Sequence, residues 1–228
     1  MKSFYKLLLC AAVCSGLLAA GNHLLEAQAG GVQGKAGRDR PSAVVTQAPA
    51  GDVLLVNASS LLPEDYAPAE LVDLYGEKRS FQLASSDIRL TREAFGAANR
   101  MFEQARQDGV DGFILTSGYR TEGKQRALYE NDTDGTAAMP GASEHQTGLA
   151  FDVTAYCDGG GFEDTEQFRW LEAHCWDFGF ILRYPEGKED VTGLPYEPWH
   201  YRYVGVEAAR EIHKNGWTLE EYCERSGE

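Results

Sequence analysis

The stretch SEHQTGLAFD, residues 143–152, carries an imidazole, His145, and ends on a carboxylate, Asp152. Farther along the chain, the short segment EPWH supplies a second carboxylate, Glu197, and a second imidazole, His200. A catalytic zinc takes three protein ligands and leaves a fourth position open for water. We therefore expect His145, Asp152 and His200 to bind Zn²⁺. Glu197 then remains as the base that accepts the proton of that water, as an unligated glutamate does at other catalytic zinc sites.

The same stretch leads into a predicted β-strand at residues 148–154. Successive side chains of a strand point to opposite faces. One face of this strand is apolar and would pack in the core, with Leu149, Phe151 and Val153. Asp152 lies on the other face and can point into a cleft, while His145 would lie on the loop that feeds the strand. Pro198 disfavours helical geometry at Glu197, so EPWH is expected to be a loop that runs into a strand.

The other apolar patterns predict helices and strands that interleave along the chain. Helices are expected at residues 90–107, 121–131, 165–178, 206–214 and 219–225. Strands are expected at residues 53–56, 113–116, 180–184 and 201–204. Because the strands are separated by helices and, late in the chain, by loops of hairpin size, we predict an α+β domain with a central, mostly antiparallel sheet flanked by helices.

The first residues have the composition of an export signal. Two lysines precede an apolar run from Leu7 to Ala20, which is the layout of a secretory leader. A membrane-spanning helix usually needs about 20 apolar residues, and this run is shorter. We expect a signal peptide or a retained membrane anchor at residues 1–29, a flexible linker at 30–52 and the folded domain at 53–228. The protein is therefore predicted to be exported and associated with the cell envelope, and to touch the membrane only through its N-terminal segment.

Composition limits the kind of partner. The net charge of −14 argues against nucleic acid, because such binding depends on Lys and Arg that neutralise phosphates. A chain of 228 residues, 43% of them hydrophobic, can form one well-cored domain plus an extension. We expect a monomer.

The remaining cysteines and histidines fit a zinc site less well. Three cysteines follow the leader, Cys157, Cys175 and Cys223. No Cys-x-x-Cys pair occurs, and both a bridge between the first two and free thiols stay open. His23 lies in the leader, while His174 and His213 lie on predicted helices, so we interpret these three as non-ligands.

Three motifs together carry a family resemblance. They are S-x-H-x-x-G-x-A-x-D at residues 143–152, EPWHYRYVG at 197–205 and SGYRT at 117–121 with the following Gln125. In this combination the chain resembles the D-alanyl-D-alanine carboxypeptidases of the VanY type, zinc peptidases that share a fold with lysostaphin-like enzymes and the hedgehog signalling domain. The resemblance implies a hedgehog/D-Ala-D-Ala-peptidase-like fold, with residues 53–228 as the zinc peptidase catalytic domain.

The resemblance also implies roles for individual residues. The three expected zinc ligands match those of the family, and Glu197 matches its catalytic base. Arg120 matches the arginine that steadies the scissile carbonyl oxygen, in agreement with the general value of a fixed cation where negative charge develops. Gln125 and Ser143 match positions near the terminal D-alanine of the substrate. The implied activity is a zinc-dependent D,D-carboxypeptidase that acts on peptidoglycan precursor stem peptides ending in D-Ala-D-Ala.

Other activities fit the same motifs. The zinc site could serve a D-Ala-D-Ala dipeptidase or a wall endopeptidase, although export favours a wall substrate over a cytoplasmic dipeptide. A zinc-stabilised module that binds wall peptides without cutting them is a third interpretation. Glu197 and Arg120 argue against it, because a binder needs neither. Glycopeptide resistance and routine wall trimming both stay open as the biological role.

Overall fold

The computed structural model describes residues 53–226 except 65, 134 and 158. The predicted leader and linker, residues 1–52, lie outside the described residues, and the domain boundaries therefore stay predictions. None of the helices in the described ranges has the length and apolar character that crossing a membrane requires.

Within the described residues, the chain forms a central five-stranded sheet and a separate two-stranded ribbon. The strands are β1 (Leu71–Asp73), β2 (Gln82–Leu83), β3 (Arg89–Thr91), β4 (Ile114–Ser117), β5 (Ala150–Thr154), β6 (Phe180–Leu182) and β7 (His200–Tyr203). β1 pairs with β3 in the ribbon, and the central order is β2-β4-β5-β7-β6. β2 and β4 run parallel, whereas the other three central pairings are antiparallel. The predicted α+β class with a mostly antiparallel sheet is confirmed.

Six α-helices accompany these strands in the described ranges. They are α1 (Arg92–Gln107), α2 (Glu122–Glu130), α3 (Glu166–His174), α4 (Glu189–Thr192), α5 (Val206–Asn215) and α6 (Leu219–Ser226). A threonine hydroxyl caps α1, α2 and α3, where Thr91, Thr121 and Thr165 accept backbone amide hydrogen bonds at 3.3, 3.2 and 3.1 Å. Such a cap satisfies an amide that has no partner inside the helix and contributes about 0.5–2 kcal/mol.

A cluster of aromatic rings holds α1 against the central sheet. Phe102 of α1 is fully buried. The ring centroids of Phe81, Phe113 and Phe151 lie 5.0, 4.8 and 5.8 Å from its own. Phe151 and Val153 on β5 are also fully buried, so the predicted apolar face of this strand does pack in the core. The opposite face of β5 is left for the site.

The prediction of a strand at residues 53–56 is wrong, because this segment forms no strand. Its backbone is instead held by a side chain from the C-terminal half of the chain, because Arg202 Nη2 donates to Leu54 O at 2.7 Å. Val53 and Leu55 pack against an apolar cluster of that same half. The apolar residues of this segment therefore serve side-chain packing and not strand pairing.

The helix expected at residues 165–178 is α-helical only as far as His174. A 3₁₀ turn, Cys175–Phe178, continues it to Gly179. The φ angle of Gly179 is 87°, a conformation that favours glycine. The element therefore ends before Gly179, as expected from its range, but tightens in its last turn.

Among the described residues, Cys175 and Cys223 are free thiols, so the bridge between Cys157 and Cys175 does not form. Cys175 is buried, and burial raises the pKa of its thiol to about 12. A thiol with such a pKa stays protonated near neutral pH and behaves as a small apolar side chain.

Candidate active site

The three predicted zinc ligands come from three different elements and converge on one point. His145 lies in a 3₁₀ turn, Glu144–Thr147, that leads towards β5. Asp152 lies on β5, directly opposite His200 on β7. One ligand atom from each of the three side chains lies within 4.8 Å of the other two. Two imidazole nitrogens and one carboxylate oxygen form a donor set that zinc accepts while it keeps a fourth position open, so these residues fit the expected metal.

A close approach at Gly148 sets the path from the ligand turn into β5. The φ angle of Gly148 is 68°, in the left-handed region. A Cβ atom at this position would lie 2.9 Å from Leu71 Cδ2 and 3.2 Å from Thr91 Cγ2. The turn therefore requires glycine, and it holds His145 beside the strand that carries Asp152.

The surroundings of His145 determine which ring nitrogen faces the other ligands. Nδ1 lies 2.8 Å from the carbonyl oxygen of Gly118. Because a carbonyl can only accept, Nδ1 carries the hydrogen and donates it. Burial lowers the pKa of His145, which favours the neutral ring. Its unprotonated Nε2 lies 3.3 Å from Asp152 Oδ2, ready to bind a metal.

The ring of His200 lies between two acids. Its Nδ1 is 3.1 Å from Asp152 Oδ1, and its Nε2 is 3.3 Å from Glu144 Oε2. Burial disfavours the charged ring, but the hydrogen bonds to Asp152 and Glu144 outweigh burial and raise the pKa of His200 to about 9. A metal at Nδ1 would take the place of a proton there, so we expect metal binding to release one.

Glu197 lies beside the three ligands without belonging to their group. Its Oε2 is 3.7 Å from His200 Nδ1. Burial raises the pKa of Glu197 to about 7; the His200 charge opposes this rise, and the Asp152 carboxylate adds to it. A carboxylate whose pKa is close to the working pH is suited to accept a proton and return it.

Arg120 reaches the site from the loop between β4 and α2. Its amide donates to His145 O at 3.0 Å, which ties this loop to the ligand turn. Its guanidinium donates to Gln125 Oε1 at 2.7 Å and to Ser117 Oγ at 3.2 Å. Burial lowers the pKa of Arg120 and the two carboxylates of Asp152 and Glu197 raise it, but a guanidinium stays cationic in proteins. The site therefore holds a fixed positive charge near its acids.

The two predicted substrate-binding residues are both buried. Gln125 accepts from Arg120 and donates to Ala138 O at 2.6 Å, so it braces the arginine. Ser143 begins the ligand turn, and its hydroxyl does not cap that turn. Contact of either residue with a substrate stays a prediction.

Sequence reasoning missed Glu144 and the two arginines around it. Glu144 is fully buried, and its Oε1 accepts from Arg183 Nε at 2.7 Å and from Arg202 Nη1 at 2.9 Å. Burial opposes ionisation, but the two guanidinium groups hold the pKa of Glu144 well below its usual range. A signal for this buried group was available in the sequence, because Arg183 and Arg202 both lie in segments predicted as strands.

The two other histidines of the described residues, His174 and His213, contact tryptophan rings. The ring centroid of His174 lies 4.8 Å from that of Trp170, and His213 stacks on Trp176 at 4.5 Å. His23 lies outside the described residues. The interpretation of His174 and His213 as non-ligands stays a prediction.

A small cavity of about 70 Å³ adjoins the site. Tyr184 forms part of its wall, and the ring centroid of Tyr184 lies 5.0 Å from that of His200. The lining also includes Ala138, whose carbonyl oxygen accepts a hydrogen bond from Gln125. One polar amide and several small or apolar residues complete the lining: Asn57, Ala58, Met139, Ala142, Thr192, Gly193 and Leu194. The cavity, which Tyr184 separates from the predicted ligands, thus has room for a small group.

Comparison with known families identifies the same site region. The family model described as VanY, D-alanyl-D-alanine carboxypeptidase, matches residues 87–206. The bifunctional D-Ala-D-Ala dipeptidase and D-Ala-D-Ala carboxypeptidase VanXYC of Enterococcus gallinarum is 43% identical over 185 residues, which are 74% of this chain and 91% of that protein. A D-alanyl-D-alanine carboxypeptidase of Enterococcus faecalis is 38% identical over 187 residues, 75% of this chain and 65% of that protein.

Solved structures share the fold at 36% identity. The LdcB LD-carboxypeptidase matches with a TM-score of 0.67 over 75% of this chain and 84% of its own. A vancomycin-resistance D,D-pentapeptidase VanY in complex with Zn(II) matches with a TM-score of 0.61 over 74% and 97%. VanYB in complex with D-alanine-D-alanine matches with a TM-score of 0.60 over 75% and 96%. The predicted peptidase fold is confirmed, and the chain belongs to the VanY family of D-alanyl-D-alanine carboxypeptidases.

Proposed function

We propose that this protein is a zinc-dependent D,D-carboxypeptidase that removes the terminal D-alanine from peptidoglycan precursor stem peptides ending in D-Ala-D-Ala. The observation that carries the proposal is the convergence of His145, Asp152 and His200 within 4.8 Å, with Glu197 beside them and outside their group. The related VanY structure that contains Zn(II) and the related VanYB structure with D-alanine-D-alanine support the metal and the substrate class.

The proposed mechanism assigns one task to each side chain. Zn²⁺ held by the three ligands would supply a Lewis acid that lowers the pKa of water and polarises a carbonyl. Glu197 accepts the proton of the attacking water and returns it to the leaving amine of D-alanine. Arg120 places its charge where the carbonyl oxygen becomes negative. Burial of Glu197 and Arg120 strengthens these interactions, because little water competes with them.

The cavity beside Tyr184 suits the proposed substrate. Its volume of about 70 Å³ and its mostly small or apolar lining would accept a methyl side chain and leave little room for a larger one. Gln125 and Ser143 lie near this space through Ala138 and Ala142, which supports their assignment to the terminal D-alanine.

Location follows from the leader. The predicted export signal at residues 1–29 would place the enzyme in the cell envelope, where stem peptides are found. Contact with the membrane would then be made through this N-terminal segment alone, and the catalytic domain would act as a monomer.

Two relatives point to other peptidase activities at the same kind of site, which together form the second candidate. LdcB is an LD-carboxypeptidase with a similar fold, and VanXYC is a dipeptidase as well as a carboxypeptidase. An L,D-carboxypeptidase would remove D-alanine from a tetrapeptide, and a dipeptidase would cut free D-Ala-D-Ala.

Mass spectrometry of three substrates separates these functions. The purified protein is incubated with a stem pentapeptide, a stem tetrapeptide and free D-Ala-D-Ala, each with and without a chelator. The proposal predicts loss of one alanine from the pentapeptide, and no loss after chelation. Preferential cleavage of the tetrapeptide or of the dipeptide would favour the second candidate, and binding of the pentapeptide without any cleavage would show a non-catalytic module.

A further inference from the structure

Glu144 faces His200 on the side of the ring away from the other acids. The Nδ1 atom of His200 faces Asp152 at 3.1 Å and Glu197 at 3.7 Å. The Nε2 atom faces Glu144 Oε2 at 3.3 Å. Both Glu144 and His200 are buried, so no bulk water competes for this contact.

The two oxygens of Glu144 have different partners. Oε1 accepts from Arg183 and from Arg202, while Oε2 faces His200. The remaining nitrogens of Arg183 donate to Glu220 of α6, and those of Arg202 donate to the carbonyl oxygens of Leu54 and Tyr203. Each arginine is therefore held by several partners, and together they fix the orientation of the Glu144 carboxylate.

This arrangement determines which nitrogen of His200 carries a hydrogen. Glu144 accepts from two guanidinium groups, which can only donate, and its second oxygen therefore faces His200 as an acceptor. The hydrogen between the two groups thus belongs to Nε2 of the ring. A neutral ring with a hydrogen on Nε2 has its lone pair on Nδ1, which is the nitrogen that faces the other ligands.

We propose that Glu144 is a positioning residue that holds His200 in the Nε2–H tautomer, so that the ring binds the metal through Nδ1. The inference rests on the proposed function, because it assigns a role towards the proposed metal. His145 has the opposite arrangement, since its Nδ1 donates to the carbonyl oxygen of Gly118 and its Nε2 faces Asp152 Oδ2 at 3.3 Å. Two different acceptors, a carboxylate and a carbonyl, therefore prepare the two imidazoles in opposite tautomers.

The isosteric change Glu144→Gln tests this role. The amide oxygen is expected to stay with Arg183 and Arg202, because both can only donate. The amide nitrogen then replaces Oε2 and donates to His200 Nε2, which favours the tautomer with its hydrogen on Nδ1. That tautomer cannot bind a metal at Nδ1 without moving the hydrogen.

Glu220→Gln is the matched control. Glu220 pairs with the same Arg183 and is also buried, but its other contact is with Asn57, whose side-chain amide donates to it at 3.1 Å. Both changes remove one negative charge from the same buried group of ions. A purely structural role of Glu144 predicts similar effects of the two changes, whereas the positioning role predicts different ones.

The experiment measures zinc affinity by competition with a chelator and ring protonation by ¹⁵N NMR of histidine-labelled, zinc-loaded protein. We expect Glu144→Gln to weaken zinc binding about 10–100-fold and Glu220→Gln to weaken it clearly less. The wild-type spectrum should show His200 with a proton on Nε2 and the metal on Nδ1. Equal zinc affinity in the two variants, or a wild-type His200 bound through Nε2, would overturn the inference. If Glu144→Gln does not fold, a wild-type His200 bound through Nε2 would still overturn the inference. Failure of the wild type to bind zinc would contradict the proposed function itself.

Discussion

Replacing Glu197 with glutamine removes the proposed base and keeps the shape of the side chain. Glutamine cannot take up the proton of the attacking water at neutral pH. Loss of a general base typically lowers the rate 10²–10⁴-fold, which corresponds to about 3–5 kcal/mol of activation free energy. Because Glu197 Oε2 lies 3.7 Å from His200 Nδ1 and the residue is outside the ligand group, the variant should still bind one zinc per chain.

The assay follows D-alanine release from a stem pentapeptide and measures the zinc content of the same samples. Glu186→Gln is the matched control, because Glu186 is exposed and its replacement removes the same charge from a nearby part of the chain. We expect the control to keep wild-type activity and zinc content. A loss in Glu197→Gln smaller than about tenfold would refute the assignment of the base, and loss of the zinc together with the activity would show that Glu197 is a ligand.

Three further predictions concern pH, the fixed cation and the core. The value of kcat/KM should fall as the pH is lowered through the pKa of Glu197, because the protonated acid cannot act as the base. This pKa is about 7 without a metal, and a bound cation would lower it. A pH–rate profile that does not fall at acidic pH would contradict this. Arg120→Ala should lower kcat about 10²–10³-fold in the same D-alanine assay and leave zinc content unchanged, whereas a change confined to KM would indicate a role in substrate binding alone. Phe102→Ala should lower the free energy of unfolding by about 3–5 kcal/mol in urea denaturation, because its fully buried ring contacts three others, while Tyr75→Ala, at an exposed position, should change it little.

The parts of the site that were predictable are those encoded within short stretches of sequence. Alternation along residues 148–154 placed Asp152 on the face of β5 opposite Phe151, and the structure has Phe151 in the core and Asp152 with the two histidines. The helix starts expected at residues 121 and 165 agree with the threonine caps observed there, since a cap depends on residues within one helical turn.

Contacts between distant residues were not predictable in this way. Glu144 meets Arg183 and Arg202 across 39 and 58 residues of sequence, and nothing in the local pattern shows which charged side chains will be buried together. The strands β1, β2 and β3 have three, two and three residues, which is too short for an alternation to be recognised. Residues 53–56 have the composition of a strand, but their apolar side chains pack against the C-terminal cluster.

Anomalous diffraction at the zinc absorption edge, from crystals grown with zinc, tests the central claim most directly. We predict one strong peak per chain within about 2.0–2.2 Å of His145 Nε2, His200 Nδ1 and an oxygen of Asp152, with Glu197 near the open fourth position. A peak bound by other side chains, or no peak between these three residues in zinc-saturated protein, would contradict the account.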